Sequence, residues 1–433
     1  MKLLMEKVGA PIQKSEDSAE KRSIFFELCD EIREEFLKSV SYRALENRND
    51  PKNMKELEGK ISQIVKSRIG KAPGLSYQQV LKEIRDDILG YGPITDLIND
   101  PEIEEVMVNR YDRIFYEKNG RIYPAPDIRF YDEGHLRRII FRIVDSIGRR
   151  VDESSPKVDA RLPDGSRVNV TIPPIAPDGA CMTIRKFKKK LTEEEYLNSG
   201  TFEERVLFLL KAFVKSRLNI MVTGGTGTGK TSLLNFLCSF IDDGERIITI
   251  EDDLELNIKK PNLIRLEARN ESIEGSGRVT IRDLVINALR MRPDRLIVGE
   301  VRGGEAFDML QAMNTGHDGS MSTGHANSPE DMLVKLESMV LMAENLNQNA
   351  IRSLIASGID ILIHCTRFPE DGSRKITRIV HVEDYRNGEI SARDIMRFER
   401  DYKVKGRAAG EFKVLLSKDS PLAEKLRYYG GMF

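Results

Sequence analysis

Cysteine is scarce in this chain. There are four in 433 residues, at positions 29, 181, 238 and 365, and no two form a Cys-x-x-Cys pair. That spacing argues against a zinc ribbon and a disulfide framework and points to a reducing, cytoplasmic setting. Histidine is nearly as rare, with five in the chain. A surplus of one charge is also missing: 68 Lys+Arg stand against 69 Asp+Glu, for a formal net charge of −1. Nothing global therefore draws the chain to nucleic acid, and no nucleic-acid partner is expected. No apolar run reaches the roughly 18–20 residues that span a bilayer, and the first residues lack a signal peptide's apolar core. Any membrane association is expected to be peripheral. A guanine-reading Asn-Lys-x-Asp segment is absent as well.

What is present is concentrated in one stretch. Gly224-Gly225-Thr226-Gly227-Thr228-Gly229-Lys230-Thr231 fits the phosphate-loop pattern G-x-x-x-x-G-K-[ST] in full. Leu218–Val222 before it reads as a buried strand, and Leu233, Leu237, Phe240 and Ile241 after it recur at helical spacing. Glycines let successive backbone N–H groups curl around phosphate oxygens at a helix N-terminus, where the dipole favours negative charge. Lys230 can reach the β- and γ-phosphates, and the Thr231 hydroxyl can ligate Mg²⁺. Ser232 completes the expected nucleotide contacts. ATP with Mg²⁺ is the expected ligand.

At 433 residues the chain predicts two or three domains. Residues 1–20 are polar and read as frayed. Phe25, Leu28, Ile32, Phe36 and Val40 mark one helical face, and Leu57, Ile61, Ile64 and Val65 a second. Ser76 with Gln79 reads as a capping box for a third helix carrying Val80, Ile84 and Ile88. Residues 1–75 are read as a helical extension. Strand-like alternation at Glu105–Asn109, Arg113–Glu117 and Arg121–Tyr123, with an Asn119-Gly120 turn, opens an α+β domain over 76–187. That domain ends near the basic run Arg185–Lys190, which is most simply a solvated stretch, and 188–201 reads as a linker. Over 202–433, strands at Leu218–Val222, Arg246–Ile250, Leu263–Leu266, Arg295–Val298, Ser320–Thr323 and Ile359–Ile363 alternate with helices. The alternation predicts an α/β, doubly wound, mainly parallel sheet with the loop in its first βα turn. The tail returns to hairpin-like strands and a helix near Leu422–Leu426.

The acids narrow the chemistry. Arg295-Leu296-Ile297-Val298-Gly299-Glu300 is an apolar strand ending in a carboxylate, placed where a hydrated Mg²⁺ would sit. A salt bridge from Glu300 to Arg302 is the structural alternative. Ile248-Thr249-Ile250-Glu251-Asp252-Asp253 ends another strand in acids, and Glu251 is the candidate general base for an attacking water. Thr315-Gly316-His317 and Thr323-Gly324-His325 suggest two imidazoles directed at one crevice, able to sense a γ-phosphate.

In their order, the P-loop, the acidic segment Thr249–Glu255, Leu296–Gly304 and the two-histidine segment resemble the traffic ATPases of type II and type IV secretion. Gly90–Ile94, Gly148–Asp152 and Asp159–Asn169 look more closely like the CpaF/TadA-type ATPases of tight-adherence (Flp) pilus assembly. The resemblance implies a PAS-like α+β domain joined to a RecA-like ATPase domain. It also implies homo-hexameric rings working against an inner-membrane platform at the cytoplasmic face. By its motifs Glu251 is the catalytic glutamate, Glu300 the Walker B acid, and His317 and His325 the histidine box. Arg167 and Arg185, with Arg161 behind them, match arginines that the family sends to the nucleotide. A nucleic-acid translocase on the same core and a non-motor nucleotide switch remain the alternatives.

Overall fold

The computed structural model describes residues 16–41, 44, 50–71, 76–118, 120–187, 191–269, 277–417 and 419–428. Residues 1–15 of the polar start, the turn residue Asn119 and the basic Lys188–Lys190 lie outside the described residues. Contacts divide the chain into two units, Met1–Phe187 and Lys188–Phe433.

In the first unit, helices Glu16–Ser39, Pro51–Arg68 and Tyr77–Ile88 enclose a small core of Leu28, Ile32, Phe36, Leu57, Ile61 and Val80. The first helix thus starts inside the stretch read as frayed. Ser76 takes the N-cap position but makes no side-chain cap bond, so the expected capping box does not form. The buried face of that helix, Val80, Ile84 and Ile88, holds it instead. The same helix supplies Asp87, whose Oδ1 lies 2.8 Å from Nε2 of the fully buried His135. The unit's sheet is six-stranded and antiparallel, built from β1 (Ile103–Arg110), β2 (Arg113–Lys118), β3 (Arg121–Pro124), β4 (Lys157–Arg161), β5 (Arg167–Thr171) and β6 (Cys181–Arg185) in the order β3-β2-β1-β6-β5-β4. Leu136, Ile139, Ile140, Ile143 and Val144 recur at helical spacing along Glu133–Asp145 and pack against it.

The second unit is a nine-stranded sheet. It comprises β7 (Ile220–Gly224), β8 (Ile247–Glu251), β9 (Leu263–Glu267), β10 (Arg295–Val301), β11 (Met321–His325), β12 (Ile361–Arg367), β13 (Arg374–Arg386), β14 (Glu389–Arg400) and β15 (Gly410–Val414). The order is β15-β14-β13-β12-β7-β11-β10-β8-β9. Pairing is parallel from β12 to β9, and antiparallel through β13, β14 and β15. The tail hairpins therefore extend the same sheet. Both faces are covered: Ile220 and Val222 point into one core and Met221 into the other, as a fully buried parallel strand requires.

Within 188–201, read as a linker, residues Glu193–Asn198 form a helix with a Thr192/Glu195 capping box. Its Tyr196 is buried, with ring centroids 5.3 Å from Phe202 and 4.6 Å from Phe236. An aromatic side chain with that much apolar area is held in the core of the second unit rather than left in a spacer.

The amino ends of the strands are fixed by buried polar groups. Arg295, 1% exposed, makes a two-pronged pair with Glu245 (2.7 and 2.9 Å) and donates to the carbonyls of Val214 and Gly319. Asn219 accepts from Gly319 N and Ser320 N and donates to the carbonyls of Gly358 and Met313. Removing Arg295 leaves Glu245 with Arg217 as its partner but takes the donor from the Val214 and Gly319 carbonyls, so Arg295→Ala is expected to cost about 1–3 kcal/mol of stability. A thermal or urea melt of the variant checks this.

Candidate nucleotide-phosphate site

The site is built at the carboxyl ends of the parallel strands. β7 delivers Gly224 with φ 149°, and a Cβ there would collide with the Cys365 carbonyl of β12. Gly227 and Gly229 also take positive φ, 72° and 93°, so the loop depends on glycine where it bends. Thr228 Oγ1 donates to Gly225 O at 2.9 Å and closes the loop on itself. Gly229 then opens helix Lys230–Cys238, whose first turn presents Lys230, Thr231 and Ser232. The loop and helix terminus together form the anion cradle the motif predicts.

Register brings the other groups alongside. His325 on β11 pairs with Gly224 on β7. Glu300 sits near the end of β10, and Glu251 ends β8. Lys230 is buried, and its Nζ donates to Gly225 O at 3.0 Å and lies 3.3 Å from His325 Nδ1. Burial pulls its ammonium below the ordinary lysine value, and the Glu300 carboxylate opposes this. His325 Nε2 is 2.7 Å from Glu300 Oε1, an ion-pair distance without hydrogen-bond alignment. Burial, and next the Lys230 charge, push His325 below its usual value and hold the ring toward its neutral form. Arg302 Nε donates to Glu300 Oε2 at 2.9 Å, so the salt bridge named as the alternative does form.

Glu251 is 2% exposed. Its Oε2 accepts from the backbone N–H groups of Glu255 and Leu256, at 2.7 and 2.8 Å. Among the described residues its buried Oε1 has no hydrogen-bond partner. Gly299 makes room for it: a Cβ there would stand 3.1 Å from Glu251 Cγ. Burial raises the Glu251 carboxyl above the usual range against the two backbone donors. A held carboxylate with one oxygen unspent is the form a general base requires.

His317 corrects an expectation. It lies before the start of β11, with Nδ1 3.2 Å from Ala312 O at the end of helix Glu305–Asn314, while His325 occupies the other end of the strand. Thr-Gly-His repeats at opposite ends of one strand, so within this unit the two imidazoles do not share a crevice. The motif reading also missed His364, buried beside the loop strand with Nδ1 2.8 Å from Thr223 Oγ1.

In the first unit the three candidate arginines meet. Arg161 pairs with Arg167 across β4 and β5, and Arg167 with Arg185 across β5 and β6. Directly paired residues share a face, so the three form one cationic row, followed by Glu105 on β1.

The donors fit magnesium of one kind. Among the described residues no three His, Cys, Asp or Glu side chains cluster as a metal cage. An ion held chiefly by phosphate oxygens and water needs none, and Thr231 and Glu300 are the residues that would hold it.

A P-loop at the carboxyl edge of a parallel sheet, flanked by strand-end acids, defines a nucleoside triphosphate site. The family model for "type II/IV secretion system protein" matches residues 87–410. The chain belongs to that family, which is one of ATPases. It is 35% identical over 306 residues to a putative conjugal transfer protein of Mycobacterium tuberculosis, covering 69% of this chain and 86% of that one. It is 32% identical to the type IV secretion system protein VirB11 of Bartonella quintana, covering 67% and 91%. The ATPase DotB of Yersinia pseudotuberculosis shares the fold, with TM-score 0.50 at 17% identity over 67% of this chain and 78% of that one.

A raised folded-state value means the native protein holds the Glu251 proton more tightly than the unfolded chain does. The associated stability is present below the ordinary glutamate value and lost as pH climbs through the raised one. The melting-temperature difference, Glu251→Gln minus wild type, is therefore expected to grow more positive from pH 4 to pH 7 in ligand-free protein. Paired melts across that range check the sign.

Proposed function

We propose that this chain is an ATP-hydrolysing motor of a secretion or pilus machine. Glu251 carries the reading, as a buried carboxylate held by two backbone donors, its second oxygen without a partner among the described residues, at the same carboxyl edge of the sheet as the P-loop. In the proposed reaction that oxygen takes a proton from water. The water oxygen bonds to the γ-phosphorus as the bond to the β–γ bridging oxygen breaks, and the electron pair leaves with ADP. Magnesium, when bound, neutralises charge on the phosphates. Lys230 binds the β- and γ-phosphates, and the helix N-terminus with Thr231 and Ser232 binds the rest. Neutral His325, already against Lys230 and Glu300, is placed to register the terminal phosphate. The row Arg161–Arg167–Arg185 is the candidate source of further positive charge for the transition state. His317 has no part in this unit's phosphate chemistry.

The proposed organisation is a helical extension over 1–75, a PAS-like domain over 76–187 and a RecA-like ATPase domain over 202–433. The stretch 188–201 is the proposed linker between them, and its described part holds the helix Glu193–Asn198. A homo-hexameric ring acting peripherally on an inner-membrane platform, from the cytoplasmic face, is the proposed assembly. No helix among the described residues is long and apolar enough to cross a membrane. The CpaF/TadA-like stretches favour a tight-adherence (Flp) pilus platform. The names of the conjugal-transfer and VirB11 relatives favour a type IV secretion platform as the second reading.

Lys230→Ala is expected to abolish ATP binding, whereas Glu251→Gln keeps binding and lowers turnover about 10²–10⁴-fold. Nucleotide titration with phosphate-release kinetics reads both, and normal turnover in Glu251→Gln removes the base assignment. Light scattering with ATP and Mg²⁺ is expected to find a hexamer; a monomer under those conditions contradicts the ring.

A further inference from the structure

The P-loop has a second cationic flank that neither its motif nor the acids account for. β12 runs past the end of β7: Cys365 lies opposite Gly224, and Thr366 and Arg367 continue beyond it. β13 returns antiparallel and sets Arg374 directly opposite Arg367. Both side chains reach the middle of the loop. Arg374 Nε donates to Gly227 O at 2.9 Å. A Cβ on Gly227 would stand 3.4 Å from Arg367 Nη1, and one on Gly229 would stand 3.4 Å from Arg374 Cδ. The turn between the arginines is braced. Phe368 N donates to Ser373 O at 2.8 Å, and Asp371 accepts from Ser373 N at 2.9 Å and Ala408 N at 2.8 Å.

Strand order gives this pair a side. β11, β10 and β8, carrying His325, Glu300 and Glu251, lie on one side of β7, while β12 and β13 lie on the other. The terminal phosphate must face the carboxylate that handles water. The arginines therefore flank the opposite, nucleoside-proximal end of the bound molecule. A guanidinium group at that end can give a phosphate charge-assisted hydrogen bonds through its planar fork.

We propose that Arg367 binds the α-phosphate end of the nucleotide within its own subunit, with Arg374 holding the loop at Gly227. This rests on the reading of the site as an ATP site. A group at the α-phosphate touches diphosphate and triphosphate alike. Calorimetric titration of the full chain with ADP, and with a non-hydrolysable β,γ-imido ATP analogue, compares wild type with Arg367→Gln. Both affinities are expected to fall by the same factor, about tenfold or more. Arg367→Lys, which keeps the charge but not the planar fork, is expected to recover part of the loss for both. Melting curves check folding, and if the Gln variant is unfolded the Lys variant carries the comparison, again with equal weakening. Unchanged affinities overturn the proposal. So does weakening of the triphosphate analogue alone, which would put Arg367 at the terminal phosphate. Wild type that bound neither ligand would instead refute the ATP site itself.

Discussion

In a parallel sheet every strand delivers its last residues to the same edge, and register decides which side chains meet there. Here Gly224 stands opposite His325, and opposite Cys365 on its other flank, while β10 and β8 carry Glu300 and Glu251 to the same edge of the sheet. A slip of one residue in any of these strands would turn its side chains to the other face. The register is therefore fixed at the far end, where errors would do chemical harm only indirectly. Arg295 ties β10 to Glu245 and to the carbonyl of Gly319, just before β11. Asn219 ties β7 to the same approach through the N–H groups of Gly319 and Ser320. Buried polar groups bonded at several points define one arrangement more sharply than apolar packing does.

At the chemical edge the electrostatics run in a chain from Lys230 through His325 and Glu300 to Arg302. Each member is partnered before any phosphate arrives. A triphosphate entering the cradle would offer Lys230 a stronger partner than the Gly225 carbonyl, and the His325–Glu300 contact would feel that change directly. His325 is suited to report it because burial and the lysine hold it near neutrality, where one nitrogen accepts and the other donates. His317 lacks this role for a topological reason. It precedes the strand that His325 ends.

Much of this was legible in the sequence because each signal had a local physical cause. The P-loop glycines answer backbone torsions that other residues avoid, and those torsions are found at Gly224, Gly227 and Gly229. Ser328 and Pro329 start a helix for equally local reasons, with Ser328 Oγ accepting from Asp331 N and proline in the first turn. Strand-end acids read correctly because apolar runs locate strands, and strand ends in this fold face one edge. What escaped was non-local. Asn219 sits inside the run read as apolar, and only its contacts, about 100 residues downstream, explain it. Arg367 and Arg374 carry no motif, since their position depends on β12 lying beside β7, a pairing 141 residues apart at His364 and Thr223. The paired histidines misled because repetition in sequence implied proximity, whereas a strand separates its two ends. Tyr196 was lost in a stretch judged by its charge rather than by the aromatic side chain it buries.

Glu251 shows what the arrangement costs. A carboxylate with one oxygen satisfied and the other buried without a partner among the described residues is disfavoured in the ligand-free protein, and burial raises its proton affinity. Packing alone would favour leucine or glutamine there. The strain persists because β8, buried at all five positions, and the two N–H groups of Glu255 and Leu256 leave the side chain no other place. The same constraint makes the group useful, since a base already desolvated and oriented needs little reorganisation when water arrives. The framework that fixes the register therefore also maintains a locally unfavourable carboxylate at the edge where the nucleotide would bind.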